Sequence, residues 1–190
     1  MRVIAGSRKG RRLFTSQGSD IRPTSGRVKE AAFSILGPYI EGARFLDLYA
    51  GTGAIGIEAL SRGARRVVFV ESHAASLRLL QANLIRCQLM EEADVQARRA
   101  EEFLCERLAS TKIFDIVFAD PPYEFDSAGQ LLPSLERSAI IGPKTIVLLE
   151  HPTKQAIPSQ IGRLGRDRHY HYGDTSLSRF TVVGSELPLL

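Results

Sequence analysis

Short apolar runs alternate with longer stretches of helical spacing along most of the chain. The apolar runs predict strands at 44–48, 66–70, 94–97, 114–119 and 145–150. The stretches between and after them predict helices at 54–62, 73–87, 100–109 and 127–137. Strands that are apolar throughout and separated by helices are typical of a parallel sheet covered on both faces. The pattern therefore predicts an α/β protein.

The pattern changes at both ends of the chain. Two further predicted strands, 166–172 and 177–184, would form an antiparallel hairpin that closes the sheet. At the amino end, two short strands at 2–5 and 11–14 predict a basic hairpin, and a helix is expected to follow it. The chain therefore divides into an amino-terminal arm, residues 1–43, and a core, residues 44–190.

Composition is that of an ordinary globular protein. The 190 residues are 44% hydrophobic and 24% charged, enough for one domain with a sizeable core. Eighteen consecutive apolar residues occur nowhere, so no membrane span is expected, and the basic amino terminus lacks the apolar region of a secretory signal. Cys87 and Cys105 fall in predicted helices and are expected to be free thiols in a reducing cytoplasm.

Positive charge is concentrated at the amino end. Residues 1–30 hold eight Lys or Arg and two acids, whereas the other 160 residues hold seventeen bases and nineteen acids. The net charges are thus +6 and −2 for the two parts. A solvated basic tail would give the same count, but the asymmetry is also what a polyanionic partner requires.

A glycine loop follows the first predicted core strand. Gly51, Gly53 and Gly56 let the backbone turn sharply and approach a ligand, and Glu71 ends the next strand twenty residues after Gly51. This spacing also fits a dinucleotide fingerprint, so the loop alone does not separate NAD from S-adenosylmethionine. Asp47, just before the loop, favours a cationic ligand because a carboxylate there would repel phosphates.

The DPPY segment, Asp120-Pro121-Pro122-Tyr123, follows the buried strand 114–119. The Asp120 carboxylate and the Pro121 carbonyl both accept hydrogen bonds, and Tyr123 offers a flat face for stacking. A planar base with an exocyclic amino group suits that combination. Because ligands of open α/β sheets bind at the carboxyl ends of the strands, Asp47, Glu71 and Asp120 are expected to share one site.

Together these elements resemble the class I S-adenosylmethionine-dependent methyltransferases that act on exocyclic amino groups. A narrower resemblance covers nearly the whole chain, to the bacterial 16S rRNA (guanine(966)-N(2))-methyltransferase family. The matching stretches are Met1–Gly6, Arg22–Leu36, Asp47–Gly53, Glu58–Ala64 and Tyr172–Thr175.

The resemblance implies a Rossmann-like, mostly parallel sheet of seven strands with helices on both faces and a closing antiparallel hairpin. It implies methyl transfer from S-adenosylmethionine, without a metal, to N2 of one guanine in 16S rRNA. The expected enzyme is a cytoplasmic monomer whose partner is the small ribosomal subunit or an assembly intermediate of it.

The resemblance also implies roles for individual residues. The catalytic set is Asp120, Pro121, Pro122 and Tyr123. The cofactor-binding set is Asp47, Tyr49, Gly51, Thr52, Gly53, Gly56, Glu71, Ser72, Arg99 and Ala100. The RNA-binding set is Arg2, Arg8, Lys9, Arg11, Arg12, Arg22 and Thr24. Arg99 departs from the family, which has a small acid or amide there that contacts the adenine amino group, so backbone groups of Arg99 and Ala100 are expected to serve instead.

Three other interpretations stay open at this point. A DNA or RNA adenine-N6 methyltransferase could use the same DPPY segment, although the roughly forty residues outside the core leave little room for a target-recognition domain. An NAD-dependent oxidoreductase would explain the glycine loop but not the DPPY segment. A non-catalytic RNA-binding assembly factor would keep the cofactor pocket without turnover, which leaves the intact glycine loop and DPPY segment unexplained. His151, His169 and His171 suggest a metal, but no Cys or acid completes the ligand set. His169 and His171 alternate on one strand face and are expected to be surface groups.

Overall fold

The structure is a computed structural model that describes residues 1–15, 26–105, 113–122 and 126–184. Three predicted site residues, Arg22, Thr24 and Tyr123, lie outside these ranges, as does the end of the helix predicted at 100–109.

One eight-stranded sheet organises the molecule, with the strand order β3-β2-β1-β4-β5-β8-β7-β6. Strands β1 to β5 are parallel, and the remaining three continue the sheet in antiparallel fashion. The strands are β1 Arg44–Leu48, β2 Arg66–Glu71, β3 Ala93–Ala97, β4 Phe114–Ala119, β5 Ile141–Pro152, β6 Gln160–Ile161, β7 Leu164–Tyr172 and β8 Thr175–Val182. The mostly parallel α/β sheet is confirmed. The expected count of seven strands is wrong, because Gln160–Ile161 adds an eighth by pairing with β7.

Helices cover both faces of this sheet. They are α1 Gly26–Leu36, α2 Ala54–Ser61, α3 Ala74–Cys87, α4 Ala100–Cys105 and α5 Leu132–Arg137, with a 3₁₀ turn at Gly37–Tyr39. The helix predicted at 127–137 divides into a π-helical turn, Ser127–Leu131, followed by α5. Within the described ranges, no helix combines the length and apolar character needed to cross a bilayer.

Alternate residues of the strands feed two hydrophobic cores. Phe45 of β1 packs with residues of α1, α2 and α3 on one face of the sheet. Leu46 and Leu48 pack with α4 and α5 on the other. A strand that is buried on both faces cannot alternate apolar with polar residues, which is why these strands are apolar runs in the sequence.

The amino-terminal arm docks on α2 through one buried carboxylate. Glu58 is fully buried and accepts hydrogen bonds from the backbone of Ile4 and Ala5, at 2.8 and 2.9 Å. It also pairs with Lys29 and Arg62, each at 2.9 Å. Burial alone would raise the pKa of Glu58, but these donors outweigh burial and lower it. The predicted hairpin strands of the arm are reduced to one antiparallel bridge, Arg2 with Arg12.

Two arginines of the arm also hold the end of α3. The Arg8 Nε donates to the Cys87 carbonyl and the Arg11 guanidinium to the Arg86 carbonyl, both at 2.7 Å. The last carbonyls of a helix lack partners within it and carry partial negative charge, so cations stabilise them. Arg8 and Arg11 therefore have structural partners, whereas Lys9 and Arg12 are exposed.

Candidate active site at the carboxyl edge of the sheet

Parallel strand pairing brings the three acids that were predicted to share a site, Asp47, Glu71 and Asp120, to one edge of the sheet. Leu48 of β1 pairs with Val70 of β2 on one side and with Ala119 of β4 on the other. Glu71 and Asp120 are the next residues along those neighbouring strands. Asp47 lies one residue before the end of β1 and is 1% exposed.

The Asp47 carboxylate shows the effect of this crowding. It accepts one hydrogen bond, from the Gly56 backbone at 2.8 Å. Burial raises its pKa to about 8, the charges of Asp120 and Glu71 add to the increase, and the Gly56 bond opposes it. Burial and the neighbouring acids thus disfavour the ionised form of Asp47, and a cation bound at this edge would favour it.

The glycines of the loop are required for different reasons. A methyl group at Gly53 would overlap Leu80, and one at Gly56 would overlap Phe69, so both glycines are needed for packing. At Gly51 a methyl group would meet nothing within 4 Å, although its φ of 55° also favours glycine. Gly51 is therefore the glycine that faces open space, where a ligand can approach the backbone.

Glu71 joins three segments around that space. Its carboxylate accepts hydrogen bonds from the backbone of Gly51, Ser72 and His73, at 2.7, 2.8 and 2.7 Å respectively. One acid therefore fixes the glycine loop against the end of β2 and the entry to α3. Each carboxylate oxygen has two lone pairs, so the group can hold the loop and still accept from a ligand hydroxyl.

Asn83 anchors the other side of the loop. It is fully buried on α3, and its amide donates to the Thr52 carbonyl at 2.9 Å. The same side chain accepts from the Phe14 backbone N–H at 2.7 Å and donates to the Phe14 carbonyl at 3.0 Å. The glycine loop and the amino-terminal arm are thus held by a single side chain.

Glu101 is a site residue that sequence reasoning missed. Its carboxylate accepts from the Tyr49 hydroxyl at 2.9 Å and from the Arg99 Nε at 3.3 Å. Tyr49 has a φ of 60°, an unfavourable value outside glycine, and the bond to Glu101 holds it there. Burial and the neighbouring carboxylate raise the pKa of Tyr49. The signal in the sequence is an acid two residues after Arg99. The Arg99 side chain has no hydrogen-bond acceptor, whereas the Glu101 carboxylate has.

The DPPY segment leaves the sheet beside β1. Asp120 is half-buried, Pro121 is buried and Pro122 is exposed. Arg99 and Ala100 begin the neighbouring α4 region, with the Arg99 side chain 67% exposed. The structure therefore brings the described members of the predicted catalytic and cofactor-binding sets to one edge. The exposed arm residues Arg2, Lys9 and Arg12 belong to a different part of the surface, the docked arm.

A sheet of this topology, with a glycine loop facing open space and acids at the carboxyl ends of β1, β2 and β4, defines a class I methyltransferase. The chain belongs to the family described as conserved hypothetical protein 95, whose model matches residues 1–181.

Individual relatives agree with that assignment. Ribosomal RNA small subunit methyltransferase D of Haemophilus influenzae is 37% identical over 152 residues, which cover 79% of this chain and 78% of the relative. A solved structure of a Thermus thermophilus protein is 31% identical, covers 96% of this chain and 99% of its own, and has a TM-score of 0.82. The resemblance stated from the sequence is confirmed.

A more distant structure shares the fold alone. The RNA methyltransferase of Salinibacter ruber, solved with S-adenosyl-L-homocysteine, is 18% identical and has a TM-score of 0.64. It covers 89% of this chain and 99% of its own.

Proposed function

We propose that this methyltransferase transfers a methyl group from S-adenosylmethionine to the exocyclic N2 of one guanine in 16S rRNA. The observation that carries the proposal is the meeting of Asp47, Glu71 and Asp120 at the carboxyl edge of the sheet, beside Gly51, which faces open space. A sulfonium cofactor with a cationic amino group would favour the ionised form of Asp47, whose pKa is raised to about 8. Relatives named small subunit rRNA methyltransferase D support the substrate.

The residues at the edge fit the cofactor. Gly51 faces open space and offers close approach, and one lone pair of the Glu71 carboxylate remains to accept from a ribose hydroxyl. Asp47 can meet a cation, and Tyr49, Thr52, Gly53, Gly56, Ser72, Arg99 and Ala100 complete the proposed binding set. When bound, S-adenosylmethionine supplies a methyl group activated by the positive sulfur.

Asp120 and Pro121 act on the target amine. The lone pair of an exocyclic amine is delocalised into its ring, so the amine is a poor nucleophile. By accepting hydrogen bonds from the two N–H groups, the Asp120 carboxylate and the Pro121 carbonyl would turn the lone pair towards the methyl group. Asp120 would also stabilise the positive charge that develops on nitrogen. No dedicated base is needed, because the methylated ammonium loses its proton readily.

Pro122 and Tyr123 complete the proposed target site. Two consecutive prolines restrict the backbone and keep the Pro121 carbonyl in a fixed direction. Tyr123 would stack on the guanine once it is turned out of its helix or loop.

RNA contacts are proposed for the amino-terminal arm, residues 1–43, ahead of the catalytic core, residues 44–190. The proposed set is Arg2, Arg8, Lys9, Arg11, Arg12, Arg22 and Thr24. Lys9 and Arg12 are exposed and available for phosphates, whereas Arg8 and Arg11 would contact RNA only with the donors that α3 does not use.

The proposed setting is the cytoplasm, where the protein would act as a monomer on the small subunit or an assembly intermediate. The proposed chemistry uses no metal. Among residues 1–15, 26–105, 113–122 and 126–184, no group of three or more His, Cys, Asp or Glu is arranged to hold one.

The decisive experiment offers radiolabelled S-adenosylmethionine to unmethylated 16S rRNA, to small subunits and to DNA. The nucleic acid is then digested and the labelled nucleoside identified. We expect N2-methylguanosine from 16S rRNA or small subunits and no label in DNA. Labelled N6-methyladenine in any sample would replace the guanine assignment, and absence of transfer to every substrate would contradict the proposal.

A further inference from the structure

Three imidazoles meet on the antiparallel part of the sheet, at the same edge as the DPPY segment. His151 lies near the end of β5, two residues beyond Leu149, which pairs with Ala119 of β4. His169 and His171 lie on β7. The rings of His151 and His169 stack with centroids 5.6 Å apart, and those of His169 and His171 meet edge to face at 4.4 Å. His151 is buried, and the two β7 histidines are exposed.

Hydrogen bonding fixes where the protons of the first pair lie. The His151 Nδ1 is 2.9 Å from the Pro152 carbonyl, which can only accept, so this nitrogen carries the hydrogen. A neutral His151 then has a bare Nε2, which accepts from the Ser178 hydroxyl at 2.9 Å. Since the hydroxyl hydrogen is used there, Ser178 must accept from the His169 Nδ1 at 2.8 Å. His169 is therefore protonated on Nδ1.

The hydroxyls of Thr153 and Ser176 determine the tautomer of His171 in the same way. Thr153 donates its hydroxyl hydrogen to the Gly173 carbonyl at 2.9 Å. Ser176 must therefore donate to the Thr153 oxygen, also at 2.9 Å. The Ser176 oxygen is left to accept from the His171 Nδ1 at 3.0 Å. His171 is thus also an Nδ1–H tautomer.

Both exposed rings consequently present the same atom outward. Within the described part of the chain, no hydrogen-bond partner exists for the Nε2 of either His169 or His171. In the neutral ring this nitrogen accepts a hydrogen bond, and after protonation it donates one and carries positive charge. Protonation at Nε2 leaves both serine bonds intact, so the two rings can change their outward chemistry without any rearrangement.

The segment around these rings, residues 151–172, is basic, although residues 31–190 as a whole carry a net charge of −2. Residues 151–172 contain four Lys or Arg and one acid. Arg163 and Arg166 donate to backbone carbonyls, whereas Lys154 and Arg168 are exposed. The titratable and charged groups on the surrounding strands and turns are Lys144, Glu150, His151, Lys154, Arg163, Arg166, Asp167, Arg168, Tyr170, Tyr172, Asp174 and Arg179, and Asp167 and Arg179 form a two-point ion pair.

We propose that the outward Nε2 atoms of His169 and His171 bind the sugar–phosphate backbone of the RNA beside the target guanine. A ribose 2′-hydroxyl can donate to the neutral rings, and a phosphate can accept from the protonated rings. The site would be a second RNA contact, separate from the amino-terminal arm. It rests on the proposed function, because the RNA must reach the DPPY segment at the same sheet edge.

Affinity for RNA should then depend on pH. Burial lowers the pKa of His169, and the charges of Arg166 and His171 lower it further, which favours the neutral ring in the free protein. Phosphate binding favours the protonated form. RNA affinity should therefore increase as the pH falls from 8 to 6, over and above the change in a protein that lacks the two outward nitrogens.

The tautomers can be tested directly in the free protein. Long-range proton–nitrogen correlation spectra distinguish protonated from bare ring nitrogens. We expect His151, His169 and His171 to show a protonated Nδ1 and a bare Nε2 at pH 8. An Nε2–H form of His169 or His171 would overturn the proposal, since the outward atom would then already be a donor.

The RNA contact is tested with the double variant His169→Asn/His171→Asn. The Asn amide can replace the Nδ1 donor to each serine while removing the outward nitrogen. We expect affinity for unmethylated 16S rRNA to fall about tenfold, given the usual strength of such bonds. The additional gain in affinity at pH 6 should disappear, and calorimetric cofactor binding and the urea midpoint should not change. His73→Asn, which removes an exposed imidazole on another element, is the control for RNA binding.

Failure of this inference is distinguishable from failure of the proposed function. If the unchanged protein makes N2-methylguanosine but the double variant binds RNA with equal affinity and the same pH profile, the histidine site is overturned. An effect seen only with small subunits and not with 16S rRNA also overturns it, because the partner would then be a ribosomal protein. If the unchanged protein methylates no RNA, it is the proposed function that fails.

Discussion

Asp47 on β1 and Glu58 on α2 are both buried carboxylates, yet their environments are opposite. Glu58, 0% exposed, has two backbone donors and two cations of its own chain. Asp47, 1% exposed, has one backbone donor and two neighbouring acids. The pKa of Glu58 is lowered and that of Asp47 is raised to about 8. The acid that is paired with cations of the chain is the one whose pKa is lowered.

The two acids also make stability depend on pH in opposite directions. The folded pKa of Glu58 lies below its unfolded value of 4.5, so its contribution is present above pH 4.5 and is lost as the pH falls through the folded value. The folded pKa of Asp47 lies above its unfolded value of 3.8. Its contribution is full below pH 3.8 and is lost as the pH rises towards 8.

Removing the charge of Glu58 should have the largest effect on stability. In Glu58→Gln, Lys29 remains 1% exposed without its carboxylate, and an uncompensated buried charge costs about 3–5 kcal/mol. The free energy of unfolding from urea titration at pH 7 measures the loss. Glu30→Gln, an exposed change next to Lys29 on α1, is the control and should stay within about 0.5 kcal/mol. A loss below about 1 kcal/mol would show that the arm does not depend on this pair.

Asp120→Asn should lower activity with little effect on stability. Loss of the charge that stabilises the developing ammonium should lower kcat about 10²–10³-fold, the size usual for removing one preorganised electrostatic group. Cofactor affinity measured by calorimetry should fall by much less than kcat, and the urea midpoint should change little, because Asp120 is half-buried at the edge of the sheet. Turnover at the unchanged rate would remove Asp120 from the catalytic set.

Asp47→Asn should abolish one pH dependence of stability. Asn keeps the bond from the Gly56 backbone but does not titrate. Relative to this variant, the unchanged protein should lose at most about 1.4 kcal/mol per pH unit between pH 5 and 8. Urea titrations of both proteins at pH 5, 6.5 and 8 measure the difference. Parallel curves would mean that Asp47 is ionised throughout, and the contrast with Glu58 would fail.

The same carboxylate should release a proton when the cofactor binds. A cation favours ionised Asp47, so binding at pH 7 should release up to about one proton. Calorimetry in two buffers of different ionisation enthalpy detects the release, and Asp47→Asn should lack it. Identical binding enthalpies in both buffers would contradict the view that this acid awaits a cation.

The smallest effect is expected in the arm. Replacing exposed Lys9 and Arg12 with Gln should reduce the slope of RNA affinity against salt by about 0.7 for each phosphate that the arm no longer binds. Arg8→Gln and Arg11→Gln should instead lower stability, because these side chains bond carbonyls at the end of α3. Arg65→Gln and Arg66→Gln, exposed at the start of β2, are the matched controls. An unchanged slope in the Lys9 and Arg12 variant would exclude both from the RNA interface.

Core strands were predictable because burial on both faces leaves little freedom of composition. The predicted bounds 44–48 and 114–119 are those of β1 and β4. β5 begins at Ile141, four residues before its predicted start, since Thr145 bonds both the Gly142 N–H and the Phe114 carbonyl beside a register shift. β6 has only two residues, too few for any periodicity to predict.

The shared edge of the site was also predictable, because strand order brings Asp47, Glu71 and Asp120 together. Contacts between distant polar residues were not. Lys29 and Glu58 are 29 positions apart, and nothing in the local pattern distinguishes a buried lysine from the solvated ones around it. The carbonyl partners of Arg8 and Arg11 were hidden for the same reason. The serine bonds of His151 and His169 likewise exist only after β5, β7 and β8 have paired.

Asn83 connects the amino-terminal arm to the glycine loop. One buried amide binds Phe14 of the arm and Thr52 of the glycine loop, so neither segment can shift without straining the other. If RNA binds the arm and the cofactor binds the loop, as proposed above, this side chain is one route by which the two can influence each other. Thermodynamic linkage makes any such influence reciprocal, with each substrate changing the affinity of the other by the same factor.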